Sequence, residues 1–307
     1  MISPRLFVGP MSKEIVDLVV EYSNLRKKPL GLIPSRRQIE NTGGYVNNWN
    51  TSEFCKYLSQ KKDNLLVVSD HGGPLQGNLV DDGVESMLCD VENKFDILHI
   101  DPWKSVNNLQ DGIDKTLHLL EKMCLESDTV SFEIGTEASI FPYTPDGLRK
   151  IIQSAHDFLG SEFKRVKYAV VQSGVEISGT KNVGIYNHVR LKEMINIIHS
   201  FGLLSKEHNG DYLTSEQLSK RVSAGLDSIN IAPEFGVMQT RQFLNSFKKN
   251  DFLSSYEVCE KSKKYMKWVP EDIRKSPGNN KKLIVEVCGH YNFTKEPFAS
   301  SMHKIQQ

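Results

Sequence analysis

Residues 202–209, GLLSKEHN, are a short apolar run that ends in polar residues capable of catalysis or metal binding. Near-continuous apolar runs of this kind, separated by segments with helical spacing, indicate parallel strands that are buried on both faces. Eight such strands alternating with helices are typical of a closed (β/α)₈ barrel, so we predict an α/β protein with a single TIM barrel. The eight runs are PLGLIPSRRQ (29–38), LLVVSDHGGP (65–74), FDILHIDPW (95–103), TVSFEIGTE (129–137), YAVVQSGVE (168–176), GLLSKEHN (202–209), LDSINIAPE (226–234) and KLIVEVCGHY (282–291).

One domain is expected to account for all 307 residues, because a single α/β barrel takes ~250 residues or more. Residues 1–28 are expected to be a lead-in that contains a helix over 11–22. Residues from about 29 to 307 are then expected to form the barrel, with the eighth strand at 282–291.

Composition excludes several classes of protein. The formal net charge is zero, whereas a nucleic-acid or acidic-membrane partner usually requires a basic excess. No apolar run approaches the ~20 residues that span a bilayer. The 5 cysteines are scattered without a C-x-x-C pair, which is typical of reduced thiols. We therefore expect a cytoplasmic protein that binds neither nucleic acid nor membrane.

The polar strand ends predict a metal site. Side chains two apart share a face of a strand, which groups His99 with Asp101 and Lys206 with His208. A single pair of this kind is more often structural, but here the pairs recur on several strands of one barrel mouth. Imidazole and carboxylate ligands suit a divalent transition metal, with zinc favoured and manganese, cobalt or nickel compatible. The candidate ligands are His71, Glu137, His208 and His290.

Three carboxylates are candidates for proton transfer, namely Asp70, Asp101 and Glu176. A carboxylate beside a polarised carbonyl can remove a proton from a neighbouring carbon or hydroxyl. For Asp70 and Asp101 the alternative is equally plausible from sequence: they orient the histidines instead.

The candidate substrate-binding residues are Arg36, Arg37, Gln172, Lys206 and Asn230. Arginine forks suit phosphate or carboxylate groups, although both arginines could equally be surface charges. Lys206 could form a Schiff base with a carbonyl, but an ion pair with a neighbouring carboxylate is the favoured interpretation. Phe235–Gly236 follows the predicted seventh strand, where barrels often bind phosphate.

Seven short motifs, in this order, resemble those of the non-catalytic-subunit family of class II tagatose-bisphosphate aldolase. They are GGY (43–45), DHGGP (70–74), HID (99–101), IGTE (134–137), QSGVE (172–176), EHNGDYLT (207–214) and INIAPEFG (229–236). Gly72 and Ser173 depart from the family's leucine and proline. The resemblance implies a TIM barrel and sugar or sugar-phosphate chemistry, and the family includes ketose-phosphate 4-epimerases.

The expected function is that of a metal-dependent enzyme acting on a ketose or ketose phosphate by aldol/retro-aldol chemistry, as an aldolase or a C4 epimerase. Two alternatives remain. One is a non-catalytic subunit that stabilises a separate aldolase, and the other is a Schiff-base aldolase that uses Lys206. A homo-oligomer or an aldolase partner subunit is compatible with the sequence.

Overall fold

A computed structural model describes residues 4–60 and 64–305. Eight parallel strands close into a barrel, so the predicted TIM barrel is confirmed. The order around the barrel is β1-β10-β9-β6-β5-β4-β3-β2, and β7 and β8 form a separate two-stranded hairpin. The strands are β1 (Leu6–Val8), β2 (Leu30–Leu32), β3 (Leu65–Gly72), β4 (Ile97–Ile100), β5 (Ser131–Ile134), β6 (Val166–Val171), β7 (Ile177–Ser178), β8 (Lys181–Asn182), β9 (Leu204–Glu207) and β10 (Ser228–Ile231).

Helices follow the strands and cover the barrel. Several begin with side-chain caps that are readable in the sequence, such as Thr144 before a proline and the capping box at Thr214. The helices are α1 (Lys13–Arg26), α2 (Thr51–Ser59), α3 (Val84–Glu92), α4 (Leu109–Glu126), α5 (Pro145–Leu159), α6 (His188–Ser200), α7 (Ser215–Ala224), α8 (Pro233–Ser246), α9 (Lys249–Ser262), α10 (Glu271–Lys275), α11 (Lys281–Cys288) and α12 (Phe298–Ile305). None of the helices within 4–60 and 64–305 is long and apolar enough to cross a membrane.

The predicted eighth strand, at 282–291, is wrong. These residues form α11 and a short 3₁₀ helix at Gly289–Asn292, and the eighth barrel strand along the chain is β10. A short apolar run is compatible with either a strand or a buried helix. Here Ile284 and Val285 pack in a second apolar cluster, formed with α8 and α9.

The first barrel strand lies within the segment that was expected to be a lead-in. β1 pairs with β10 on one side and β2 on the other, and so closes the barrel. Its three residues give too short an apolar pattern to be recognised as a strand from sequence alone.

The barrel interior has an apolar layer with a polar layer next to it. The apolar layer contains Phe7, Val68, Ile97 and Tyr168. Two residues further along β3 and β4, on the same face, come Asp70 and His99. The polar layer therefore lies toward the C-terminal ends of the strands, where TIM barrels carry their active sites.

Candidate active site

Four side chains at the C-terminal mouth of the barrel bring potential metal-ligating atoms within 4.8 Å of one another: Asp70, His71, His99 and His208. Glu137, at the end of β5, joins them. Its Oε2 lies 3.5 Å from His71 Nε2 and 3.5 Å from His208 Nδ1. The structure thus gathers polar residues from four strand ends into one compact cluster.

A bulge in β3 lets two consecutive residues reach this cluster. In a regular strand Asp70 and His71 would point to opposite faces. The pairing of β3 with β4 shifts register between Ser69 and Gly72, which is the signature of a β-bulge. His71 also has a φ of 55°, in the left-handed region that non-glycine residues rarely occupy. Local backbone strain of this kind is typical of functional sites.

His71 is oriented by Asp101. Its Nδ1 lies 2.6 Å from Asp101 Oδ2, which also accepts a hydrogen bond from Gln76 at 2.9 Å. Asp101 is fully buried. Because Nδ1 is engaged, Nε2 is the nitrogen that faces Asp70 (3.6 Å) and Glu137 (3.5 Å).

His208 is oriented by a second carboxylate. Its Nε2 lies 2.7 Å from Glu133 Oε1, and Glu133 Oε2 accepts from Lys206 Nζ at 2.6 Å. Lys206 is fully buried, and its ammonium lies 3.8 Å from the centre of the Phe7 ring. His208 therefore turns Nδ1 toward the cluster.

His99 supports the cluster from within. Its Nδ1 accepts the His71 backbone N–H at 3.2 Å, and its Nε2 donates to the Gly135 carbonyl at 2.9 Å. Both ring nitrogens are thus used inside the protein, so His99 holds the bulge in place. The sequence predicts His99 at the mouth, but His99 was not among the candidate site residues.

Charges within the cluster balance one another. Burial opposes the ionisation of Asp70, but the positive charges of His71 and His208 outweigh it and lower the Asp70 pKa to about 2. Burial also opposes the charging of His71 and His208, whose pKa values the neighbouring carboxylates raise to about 9 and about 10. The carboxylates and histidines of the cluster therefore favour each other's charged forms.

A divalent metal fits this arrangement. Asp70 Oδ1, Glu137 Oε2 and His208 Nδ1 are buried and have no hydrogen-bond partner among the residues that the structure describes. Glu137 Oε2 and His208 Nδ1, together with His71 Nε2, form a mixed nitrogen and oxygen set that suits a transition-metal ion, with Asp70 Oδ1 beside it. A cation there would replace the histidine protons as the source of positive charge.

Two of the expected substrate-binding residues have internal partners. Arg36 is buried and bonded to the carboxylates of Glu40 and Asp81 and to the Gly73 carbonyl. Gln172 donates to the carbonyls of Thr136 and Phe141 and accepts from the backbone N–H of Tyr143. These contacts hold the loops of the mouth together.

Three other candidate site residues, Asn230, Glu176 and His290, lie in three different environments. Asn230 is buried on β10, and neither atom of its amide group has a hydrogen-bond partner within the described ranges. Glu176 is exposed on the loop before β7. His290 is buried beside Tyr45 and Tyr291, and lies outside the group of close ligand atoms.

Three cations line the rim of the mouth: Arg37, Lys104 and Lys267. Burial lowers the pKa of Lys104, and the charges of Arg37 and Lys267 lower it further, while Asp101 and Glu137 raise it. Desolvation by the surrounding protein and the charge of Arg37 lower the pKa of Lys267, while Glu137 raises it. Among the described residues none of the three forms an ion pair, so they are available to an anionic ligand. We call these three residues the cationic rim.

Known proteins support the fold. No family model and no curated protein matches the chain. The chain is similar to a structure from Sinorhizobium meliloti described as a probable tagatose 6 phosphate kinase, with a TM-score of 0.71 and 16% identity over 99% of this chain and 86% of that chain. It is also similar to the YdjI aldolase from Escherichia coli, with a TM-score of 0.55 and 11% identity over 99% and 90% of the two chains.

A third similar structure is the fructose-bisphosphate aldolase of Campylobacter jejuni, with a TM-score of 0.54 and 14% identity over 92% of this chain and 86% of that chain. Identities this low show a shared fold. The barrel that the sequence resemblance implies is therefore a fold that this chain shares with these three structures.

Proposed function

We propose that this protein is a metal-dependent enzyme that acts on a ketose or ketose phosphate by aldol/retro-aldol chemistry. The observation that carries the proposal is the convergence of His71 Nε2, His208 Nδ1 and Glu137 Oε2. The two glutamate contacts measure 3.5 Å each. Each histidine is held in this orientation by a buried carboxylate, an arrangement typical of metal-ligating histidines.

His71, His208 and Glu137 would hold the ion, with zinc favoured and manganese, cobalt or nickel compatible. A divalent metal bound there supplies Lewis-acid polarisation of a substrate carbonyl. Because His290 lies outside the cluster, the proposed ligand set omits it.

Asp70 is the proposed proton-transfer residue. Its Oδ1 has no hydrogen-bond partner within the described ranges, and its side chain keeps 12% of its surface accessible. Asp101, by contrast, is committed to His71, and Glu176 is exposed on the loop before β7. Of the three candidate carboxylates, we therefore assign proton transfer to Asp70. Asp101 is assigned the orientation of His71.

The proposed step is a retro-aldol cleavage. Asp70 accepts the proton of a substrate hydroxyl, the carbon bearing it becomes a carbonyl, and the adjacent carbon–carbon bond breaks. The electron pair of that bond passes to the fragment that carries the original carbonyl. In an aldolase, the carbon that holds this electron pair then takes the proton back from Asp70, and both fragments are released. In a C4 epimerase, the electron pair adds to the opposite face of the new carbonyl, and the resulting alkoxide takes the proton back.

The remaining polar groups of the mouth would position the sugar. Asn230 offers a buried, unengaged amide to a sugar hydroxyl. The cationic rim offers donors to a phosphate or carboxylate. Lys206 is not proposed as a Schiff-base residue, because its ammonium is buried against Glu133 beneath the cluster.

The test combines metal analysis with a panel of ketoses and ketose phosphates, assayed before and after chelation. We expect about one equivalent of metal, with turnover that chelation abolishes and added metal restores. His208→Ala should lose the metal and the turnover, whereas His118→Ala, on the exposed face of α4, should keep both. Absence of turnover in the metal-loaded protein would instead favour a non-catalytic partner of an aldolase.

A further inference from the structure

The start of α8 is a position where barrels commonly bind phosphate. Along the chain, β9 and β10 are the seventh and eighth barrel strands, and α8 begins two residues after β10 ends. TIM barrels frequently bind phosphate with the loops after these two strands and a nearby helix N-terminus. The free N–H groups there and the helix dipole attract anions.

In this protein the side chain of Asp211 occupies the position where phosphate would bind. Asp211, in the loop after β9, is only 1% exposed. Its Oδ1 accepts the backbone N–H of Ala232 at 3.0 Å and of Glu234 at 2.8 Å. Pro233 lies between them and has no N–H. The N–H groups of Ala232 and Glu234 at the start of the helix are therefore already engaged by a carboxylate.

The loop that carries Asp211 is fixed on both sides. The Tyr212 N–H donates to Glu234 Oε2 at 2.7 Å, and the Gly210 N–H donates to the Asn230 carbonyl at 2.9 Å. The Asp211 carbonyl accepts from Asn182 at 3.1 Å. Two acidic side chains, Asp211 and Glu234, thus stand where an incoming phosphate would need free donors.

We infer that Asp211 is a specificity-determining residue that excludes a phosphate group from the α8 end of the mouth. The inference rests on the proposed function and narrows its substrate class to an unphosphorylated ketose or a ketose monophosphate. Any phosphate or carboxylate on the substrate is held by the cationic rim. A ketose bisphosphate, which needs an anion site at each end, is not a substrate.

The experiment measures binding of inorganic phosphate to the full chain, by calorimetry and by phosphate-soaked crystals. Asp211→Gly frees the N–H groups of Ala232 and Glu234, so this variant should bind phosphate there roughly tenfold or more tightly than wild type. Asp211→Asn keeps the side-chain oxygen in place and should behave as wild type. Asp251→Asn, which changes the same charge at the start of α9, is the matched control.

The wild-type crystal decides the question even if Asp211→Gly fails to fold. Phosphate on the N–H groups of Ala232 and Glu234 in wild type, with Asp211 displaced, would overturn the inference. So would a folded Asp211→Gly variant that gains no phosphate at these groups. Neither result depends on turnover, so failure of the proposed function on the ketose panel would be recognised separately.

On that panel, wild type should convert unphosphorylated or monophosphorylated ketoses and leave ketose bisphosphates unchanged. Turnover of a bisphosphate in preference to its monophosphate would contradict the inference while supporting the proposed function.

Discussion

Asp101 Oδ2 lies 2.6 Å from His71 Nδ1, and this contact leaves the other ring nitrogen facing the cluster of candidate metal ligands. Asp101 comes from the end of β4 and His71 from the bulge of β3, so the contact also ties two strand ends together. The carboxylate fixes the tautomer and orientation of the ring, as carboxylates do for metal-ligating histidines elsewhere.

The first prediction concerns this carboxylate. Asp101→Asn should weaken metal binding by roughly 10- to 100-fold, the usual cost of losing such a partner. Competition with a chromophoric chelator measures the affinity. Asp114→Asn, on an exposed turn of α4, should leave the affinity unchanged. Equal affinities for wild type and Asp101→Asn would show that His71 is held by other contacts.

The second prediction concerns the buried ion pair of Lys206 and Glu133. Lys206→Met leaves the Glu133 carboxylate buried without its ammonium partner, so it should cost about 3–5 kcal/mol of unfolding free energy in urea titrations. Adding Glu133→Gln should recover part of the loss.

The matched control is Lys220→Met, which breaks an exposed pair of similar length, 2.7 Å, with Glu216. Surface pairs contribute little, so this variant should unfold close to wild type. Equal losses from Lys206→Met and Lys220→Met would contradict the account of the buried pair.

The third prediction concerns pH. Burial raises the pKa of Asp90 to about 7, although the Ser69 hydroxyl donates to its carboxylate at 2.6 Å. Below about pH 4 the carboxyl is protonated in both folded and unfolded chains. Between pH 4 and 7 the unfolded chain ionises first, so the Asp90 contribution to stability falls as pH rises.

Asp90→Asn removes this pH dependence. The unfolding free energy of the variant minus that of wild type should therefore increase from pH 4 to pH 8, by a few kcal/mol at most, since each pKa unit is ~1.4 kcal/mol. Urea titrations at the two pH values measure the change. A difference that stays constant with pH would show that Asp90 is ionised in the folded protein throughout.

The fourth prediction concerns the cationic rim. Lys267→Ala should raise KM for a ketose monophosphate by roughly tenfold or more and leave KM for the unphosphorylated ketose nearly unchanged. Lys264→Ala, three residues earlier and also exposed, is the control. An equal effect on both substrates would mean that Lys267 does not contact the phosphate.

Much of this architecture is readable from the sequence, and the exceptions have physical causes. Seven apolar runs correspond to barrel strands because buried parallel strands need uninterrupted apolar residues. The three residues of β1 are too few to give a pattern. The run at 282–291 gives no clear helical period because residues 284–288 of α11 are all buried among other helices.

The sequence indicates which residues gather at the candidate site more clearly than it indicates the role of each residue. Strand ends placed Asp70, His71, Glu137 and His208 at one mouth. The bulge that brings Asp70 and His71 into the same cluster could not be predicted from the sequence. In a regular strand, consecutive side chains point to opposite faces, so the pattern predicts that these two residues lie apart. The long-range partners of Lys206 and Arg36 also lie outside any local pattern, because Glu133 and Asp81 are distant in sequence.

The most direct test of the metal centre is anomalous diffraction from a crystal of the metal-loaded protein, recorded at the absorption edge of the bound ion. We predict one peak about 2.0–2.2 Å from His71 Nε2, His208 Nδ1 and a Glu137 carboxylate oxygen. A full-occupancy peak elsewhere, or none between these three groups in metal-loaded crystals, would contradict the central claim.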